Sequence, residues 1–459
     1  MRSAGWVEAW TGGRRAVHIG DVADFNAQFI PQTDLTRRQG HHYSCLAAFY
    51  SPQPAVLVLP HQVEEGWVRL LERELGWPEV EVHSGLVGDD GLMAPALAAR
   101  PALRHRIGGL GLPVHHWGRS GGVDATGAPA RADGVADGAA GAAPVDPRLA
   151  AVRHYEAKDR SHALFHRLAP EHPGILVPAQ QPARPGRRLA ALVAERAARG
   201  LPTVLKARHG VGGFGTAVLT PAQVAAAGGA KALLRDLTGQ RILPPATELL
   251  VEEYVAGGGR LRHPSFDGLV DEDGGVHPVG VALMDVEGTG YRGATVGPGL
   301  LPAQLGSTAT AFGLAVGREL AAAGHRGWYD VDFVTGRDGR LSPTEINLRL
   351  TGPAAAFMLK ARLDAVRGPG HLVRTIDQLP LGARLGQQAL LAHLERLAER
   401  CARFGAALLP TIPTAGFEPA PTVGVALAAT VPDALDAAEA VVRAANLALG
   451  DPFAPLGSC

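Results

Sequence analysis

Near the N-terminus, short apolar runs that stop at glycine or proline alternate with stretches of helical spacing. Ala16, Val17, His18 and Ile19 run into Gly20 and Asp21, and Ala55 to Leu59 stop at Pro60. Each has the pattern of a buried strand entering a loop. Trp67, Leu70, Leu71 and Leu75 then recur at helical spacing, and Val80 to Val82 offers a third short strand. Strands alternating with helices predict a small parallel α/β domain over residues 1–117.

From Gly118 to Pro147 the chain turns to Gly, Ala, Asp and Pro with almost no large apolar residue. Such a stretch buries too little surface to order itself, so residues 118–147 are expected to be a linker or long loop. An amphipathic helix pattern resumes at Leu149 and passes through Tyr155, Leu164, Phe165 and Leu168. Strands and helices then alternate to about Leu363, giving a central domain over 148–365. The turn cluster Gly368-Pro369-Gly370 opens the last section, 366–459. It carries a helix pattern over Ala389–Phe404, with Leu390, Leu391, Leu394, Leu397 and Cys401 on one side, and a strand over Thr422–Thr430. A second helix, Pro432–Leu449, is expected to take Asp433 as its N-cap, so a small α+β domain is predicted. No internal repeat of fixed period is present.

Composition changes this picture little. The 459 residues carry 44 Lys plus Arg against 44 Asp plus Glu, so no bulk positive field favours nucleic acid or an anionic membrane. The three cysteines, Cys45, Cys401 and Cys459, form no CxxC or Cys/His ligand spacing, which fits a reducing compartment. Trp6, Glu8 and Trp10 break any secretory-signal pattern, and no apolar run approaches the ~20 residues of a membrane span. A cytoplasmic protein is expected. The pairs His41-His42 and His115-His116 do not make a zinc motif, because adjacent strand residues face opposite ways.

The strongest local signal is Pro202 to Lys206, then Ala207-Arg208-His209-Gly210-Val211-Gly212-Gly213-Phe214-Gly215, then Thr216 to Leu219. A strand delivers Lys206, a glycine loop turns the chain, and a second strand returns. Backbone N–H groups of such a loop approach phosphate oxygens closely, and Lys206 adds a point charge. The same residues also describe a plain glycine-rich hairpin with a surface lysine. No Gly-Lys-Ser/Thr follows, which excludes a Walker A loop, and no helix follows as a dinucleotide fingerprint requires. His209, inside the loop, is either a substrate contact or a solvent-facing residue.

About 130 residues on, Tyr329-Asp330-Val331-Asp332-Phe333-Val334 is followed by a turn at Gly336 to Gly339 and by Pro343 to Gly352. The flanks read as antiparallel strands. Residues two apart share a strand face, so Glu345, Asn347 and Arg349 are expected to project together and meet Asp332. Two carboxylates and an amide oxygen suit Mg²⁺, and Arg349 suits a transferring phosphoryl group. Alternating polar residues also mark the solvated face of a sheet. A third element, Glu248 to Val255, breaks into Gly257-Gly258-Gly259 and offers an apolar slot with backbone donor and acceptor for adenine. Lys158, in Glu156-Ala157-Lys158-Asp159-Arg160, reads in isolation as a residue at a helix start.

In this order and at these distances, the four pieces resemble the ATP-grasp superfamily over roughly residues 150–363. The resemblance implies an N-terminal pre-ATP-grasp α/β domain, a two-subdomain ATP-grasp fold and a small α+β C-terminal domain. It implies ATP and Mg²⁺ as cofactors, with Lys158, Lys206, Gly210, Gly212 and Gly213 on the phosphates. Adenine would sit against Glu252, Glu253, Tyr254 and Val255, the metal would be held by Asp332, Glu345 and Asn347, and Arg349 with Lys206 would be catalytic. The segment Ala282-Leu283-Met284 to Ala294, with Glu345 to Gly352 and the domain layout, is similar to peptide ligases of the pheganomycin-biosynthesis type. That similarity implies a small carboxylate such as an amino acid joined to an amine or peptide, in peptide natural-product biosynthesis. An ATP-grasp kinase and a non-catalytic ATP-binding scaffold are the alternatives, and a homodimer is the prior for assembly. One departure stands out: Gly257 to Arg262 offers no acid to grip the ribose.

Overall fold

The apolar run Ala16–Ile19 folds as strand β1, buried at every residue. In the computed structural model it lies between β2 (Pro54–Val58) and β4 (Val114–His116), with β3 (Glu81–His83) beyond β2. All three neighbouring pairs are parallel, as the alternation of strands and helices predicted. The chain moves outward from β1 to β2 and β3, then returns to the other side of β1 for β4. The structure describes residues 5–121, 146–210, 214–244, 247–259 and 261–450, so most of the stretch read as a linker, 118–147, lies outside the described residues. Among the described residues no helix is long and apolar enough to cross a membrane.

The chain divides into two units. The first comprises Met1–Leu149, Gly293–Leu300 and Arg349–Cys459. Beside the parallel sheet it holds a second layer in which β11 (Gly290–Val296) contributes from Gly293 onward, pairing antiparallel with β14 (Leu372–Pro380). Next come β16 (Thr422–Ala429) and, outermost, β15 (Ala407–Ile412). Helices Gln387–Ala402 and Pro432–Leu447 pack on this layer through Leu390, Leu394, Leu397, Leu435 and Val442, against Ile376, Val425 and Leu427. The section read as a small C-terminal α+β domain is therefore an α+β layer of the same unit as the N-terminal sheet. Trp67 ties the two layers, its indole N–H donating to the Pro410 carbonyl at 2.9 Å. Asp433 is not the N-cap of the last helix: Val431 is, without a side-chain cap bond. Pro432 takes the first helical position, where its fixed φ and missing N–H cost nothing, and Asp433 falls in the first turn.

The second unit, Ala150–Arg292 with Leu301–Leu348, holds two antiparallel sheets. The smaller has the order β5 (Gln180–Ala183), β8 (Leu249–Glu253), β6 (Thr203–Ala207), β7 (Thr216–Leu219). One face, with Leu205, Leu219, Leu249 and Val251, packs on Leu189 and Val193 of the helix Arg187–Ala198. In the other sheet β13 (Leu341–Asn347), β12 (Gly327–Thr335), β9 (Pro264–Val270) and β10 (Val276–Glu287) run side by side. Phe266, Val331 and Phe333 are buried on one face of it, where the ring of Phe333 meets Phe312 of the helix Ala303–Ala322.

One buried acid in the first unit gives a stability test. Asp377, on β14, accepts the Tyr43 hydroxyl at 2.7 Å, and burial pushes its pKa up to about 7 against the opposing effect of that bond. The folded state therefore holds this proton more tightly than the unfolded chain, whose reference value is 3.8. The resulting stability is complete below that reference and is lost as pH rises through the folded value. Between about pH 5 and pH 8 the protein is expected to lose roughly 2–3 kcal/mol from this group, seen as a falling melting temperature. Asp377→Asn, which keeps an acceptor for Tyr43, should flatten that fall, and an unchanged fall in the variant would assign it to another group.

Candidate nucleotide site

Strand alternation sets the polar face of the larger sheet. Asp330 lies directly opposite Asn347 on β13 and Asp267 on β9, while Asp332 lies opposite Glu345 and Ser265. Directly paired residues share a face, so two rows of oxygen-bearing side chains cross three strands. Asn347 knits them together: its side-chain amide donates to Asp330 Oδ1 at 2.7 Å and to Asp332 Oδ2 at 3.3 Å. The expected meeting of Asp332, Glu345 and Asn347 is present. Asp330 was not singled out from sequence, although its place two residues before Asp332 gave the signal.

The strand ends at Asn347, so Arg349 does not continue the alternation as expected. Its backbone instead forms an isolated bridge with Gly118, and the following amide, that of Leu350, donates to the Trp117 carbonyl at 2.7 Å. The Arg349 guanidinium lies 5.9 Å from the ring centroids of both Phe25 and Trp117, within the first unit.

Lys206 and Lys158 are both buried, at 6% exposure each. Lys206 leaves β6 on the face opposite the Leu205 core and pairs with Glu252 Oε1 at 2.7 Å, also donating to the Thr344 carbonyl at 3.3 Å. Gln180 donates to the other oxygen of Glu252 at 2.7 Å, so this carboxylate, expected near adenine, is held by Lys206 and Gln180. Lys158 forms an ion pair with Glu345. The continuous helix pattern from Leu149 to Leu168 is broken into Pro147–Tyr155 and Lys158–Leu168. The break has two uses: buried Glu156 accepts the Leu348 amide at 2.7 Å, and the Lys158 amide donates to the Arg208 carbonyl at 2.9 Å. Together these fix the end of β13 and the chain just past β6 relative to Lys158.

Gly210 begins the loop, and a Cβ there would fall 2.2 Å from the Phe214 carbonyl oxygen, so only glycine fits. Gly212 and Gly213 lie outside the described residues. His209 beside it has its pKa lowered, by burial first and then by Arg208 and Lys158, so the imidazole is held neutral. At the end of β8, the Glu253 amide donates to the Ala179 carbonyl at 2.9 Å. Arg262 sits 5.6 Å from the Tyr254 ring and donates to the carbonyls of Val255 at 2.5 Å and Thr335 at 2.9 Å. The segment without an acid thus supplies a guanidinium that pins Tyr254 and Val255 to the end of β12.

Among the described residues no group of three or more His, Cys, Asp or Glu side chains is placed to hold a metal ion. Two carboxylates and an amide, Asp332, Glu345 and Asn347, are a smaller hard-oxygen set of the kind Mg²⁺ accepts, since that ion keeps waters and takes phosphate oxygens as further ligands. A cavity of about 730 Å³ in the first unit, floored by Ala402, Ala406 and Ala428 and rimmed by Arg73, Arg367 and Glu395, includes none of these residues.

No family model and no curated protein sequence matches the chain. Solved structures similar to it include N5-carboxyaminoimidazole ribonucleotide synthetase from Thermus thermophilus, at 17% identity over 84% of this chain and 97% of that one, TM-score 0.46. The biotin carboxylase domain of Hydrogenobacter thermophilus 2-oxoglutarate carboxylase, solved with MgADP, ADP and bicarbonate, is 13% identical over 93% and 89%, TM-score 0.49. An L-amino acid ligase from Bacillus licheniformis is 11% identical over 94% and 97%, TM-score 0.48.

The Glu156 bond is directly testable. Glu156→Ala leaves the buried Leu348 amide without this acceptor and is expected to destabilise the protein by about 1–3 kcal/mol in urea unfolding. A change within about 0.5 kcal/mol would show that the bond does not hold the strand end.

Proposed function

We propose that the chain is an ATP-dependent carboxylate–amine ligase. In this reading a substrate carboxylate attacks the γ-phosphate of ATP, ADP leaves, and an amine displaces phosphate from the acyl phosphate to form an amide. The observation that carries it is the convergence, within the second unit, of buried Lys158 and Lys206 with Asp332, Glu345 and Asn347. The motif order described from the sequence supports it further.

Each side chain has a task in this reaction. Lys206 and Lys158 supply fixed positive charge for phosphate oxygens, and their burial makes that charge count for more than it would in water. The sequence assigns Gly210, Gly212 and Gly213 to the same oxygens, and at Gly210 no side chain fits. Asp332, Glu345 and Asn347 would hold Mg²⁺, which when bound offsets charge on the phosphates. The motif order of the sequence assigns the phosphoryl group in transfer to the Arg349 guanidinium. Neutral His209 adds no further charge beside Lys158. Burial also keeps water from an acyl phosphate that would otherwise hydrolyse. The finer reading, an amino-acid donor joined to an amine or peptide acceptor, follows the similarity to pheganomycin-type ligases.

Glu345→Gln and Arg349→Ala are each expected to lower ADP formation by about 10²-fold or more while the melting transition persists. The assay is ADP and phosphate release across amino acids and short peptides, with mass spectrometry for a condensed product. Wild-type ADP release in either variant would remove that residue from the mechanism. A phosphorylated alcohol formed without any amine would replace the ligase with a kinase.

A further inference from the structure

The topology of the first unit marks another place where a ligand belongs. In open parallel sheets small molecules bind outside the carboxyl ends of the strands, where the strand order reverses. Here that is the ends of β1 and β4. Asp21, just past β1, laces the two ends, accepting the Trp117 amide at 2.9 Å and pairing with His116 Nδ1 at 2.8 Å. Trp117 meets Tyr43 edge-on with ring centroids 5.5 Å apart, and Tyr50 at 6.0 Å. The Tyr43 hydroxyl in turn reaches Asp377 on β14. Gly118 admits this packing, because a Cβ there would fall 2.6 Å from the Phe25 ring and 2.8 Å from Arg349 Cβ.

The neighbourhood is buried, yet several of its polar atoms are unsatisfied. Among the described residues Asp377 Oδ1, the Tyr50 hydroxyl, Trp117 Nε1 and Ser120 Oγ have no hydrogen-bond partner. Native interiors seldom leave such atoms, each costing about 1–3 kcal/mol, unless water or a ligand meets them. Asp377 is 3% exposed, Tyr43 is its hydrogen-bond partner, and no cation of the described residues pairs with it. A buried carboxylate with one oxygen unmatched selects a positively charged donor, because a charge-assisted bond supplies the counter-charge that Tyr43 does not.

We propose that the carboxyl ends of β1 and β4 form a pocket for an ammonium-bearing substrate, an amino acid or primary amine, with Asp377 accepting the ammonium group. Tyr43 fixes the carboxylate and Trp117 walls the pocket. The proposal rests on the ligase reading, in which an amine is a reactant. Burial raises the pKa of Asp377 because its ionised form has no counter-charge, and an ammonium group supplies one.

The test is calorimetric binding to the full chain in the presence of MgADP, using common L-amino acids, each beside its des-amino acid and its carboxamide. At least one amino acid or carboxamide is expected to bind, with its des-amino partner about tenfold weaker or more, and Asp377→Asn should abolish that difference while remaining folded. Tyr43→Phe, which keeps the ring, should weaken the same discrimination and serves if Asp377→Asn does not fold. Retained binding of the carboxamide identifies the ammonium as that of an amine reactant, whereas lost binding identifies an amino acid held also by its carboxylate. Discrimination unchanged in both variants, or no binding by any panel member while MgADP binds, overturns the pocket and leaves the ligase reading standing. Amino-acid binding with no MgADP binding keeps the pocket and removes the ligase reading.

Discussion

A buried ammonium group has to be matched by a carboxylate, and that requirement organises the second unit. Lys206 reaches Glu252 from a neighbouring strand of the small sheet, and Lys158 reaches Glu345 from the start of a helix. Removing Lys206 or Glu252 alone would strand a charge in the interior, at a cost of about 3–5 kcal/mol for such a buried pair. The surrounding bonds therefore serve placement. Gln180 orients Glu252, Glu156 holds the backbone just past Asn347, and the Arg208 carbonyl receives the Lys158 amide. The break between the two helices before Lys158 makes the last two of these bonds possible.

The same pairs bear on chemistry. Carboxylates beside lysines compete with phosphate for the same charge, and carboxylates and an amide beside one another suit a hard cation. A site that binds nucleotide with a divalent metal has to offer both, so that phosphate and metal arrive with matched charge. Glu345, paired to Lys158 and opposite Asp332, belongs to both sets. In the proposed ligase it is the residue through which cation and phosphate sites communicate.

Much of this was legible from the sequence because it depends on local pattern. The hairpin carrying Lys206 follows from two apolar runs around glycines, and the pairing of Asp332 with Glu345 follows from strand alternation across a short turn. What escaped depends on contacts between distant parts of the chain. Arg349 lies past the end of β13, beside Gly118 and the Leu350 bond to the Trp117 carbonyl, which no periodicity near residue 349 announces. Glu252 was expected against adenine at the end of an apolar strand, and the pairing of its carboxylate with Lys206 is a diagonal contact across β8 and β6 that the sequence does not announce. The C-terminal helices and strands were visible one by one, but their shared unit with the N-terminal sheet rests on contacts such as Trp67 to Pro410.

Acids of the two units are matched in different ways. Glu252 and Glu345 each have a lysine. Asp21 and Asp24 are served by backbone amides, those of Trp117 and of Met93 and Ala94, and His116 adds to the first. Even so, burial and the neighbouring Asp21 push Asp24 up to about 6. Asp377 has a single neutral hydroxyl, and its pKa rises further, to about 7. The difference between these last two follows what each accepts: Asp24 two backbone amides, Asp377 one tyrosine hydroxyl. A protein that meets this need at Glu252 and Glu345 and leaves one oxygen of Asp377 unmatched, with Tyr43 on the other, has placed there, in the proposed pocket, an acceptor whose partner comes from outside the chain.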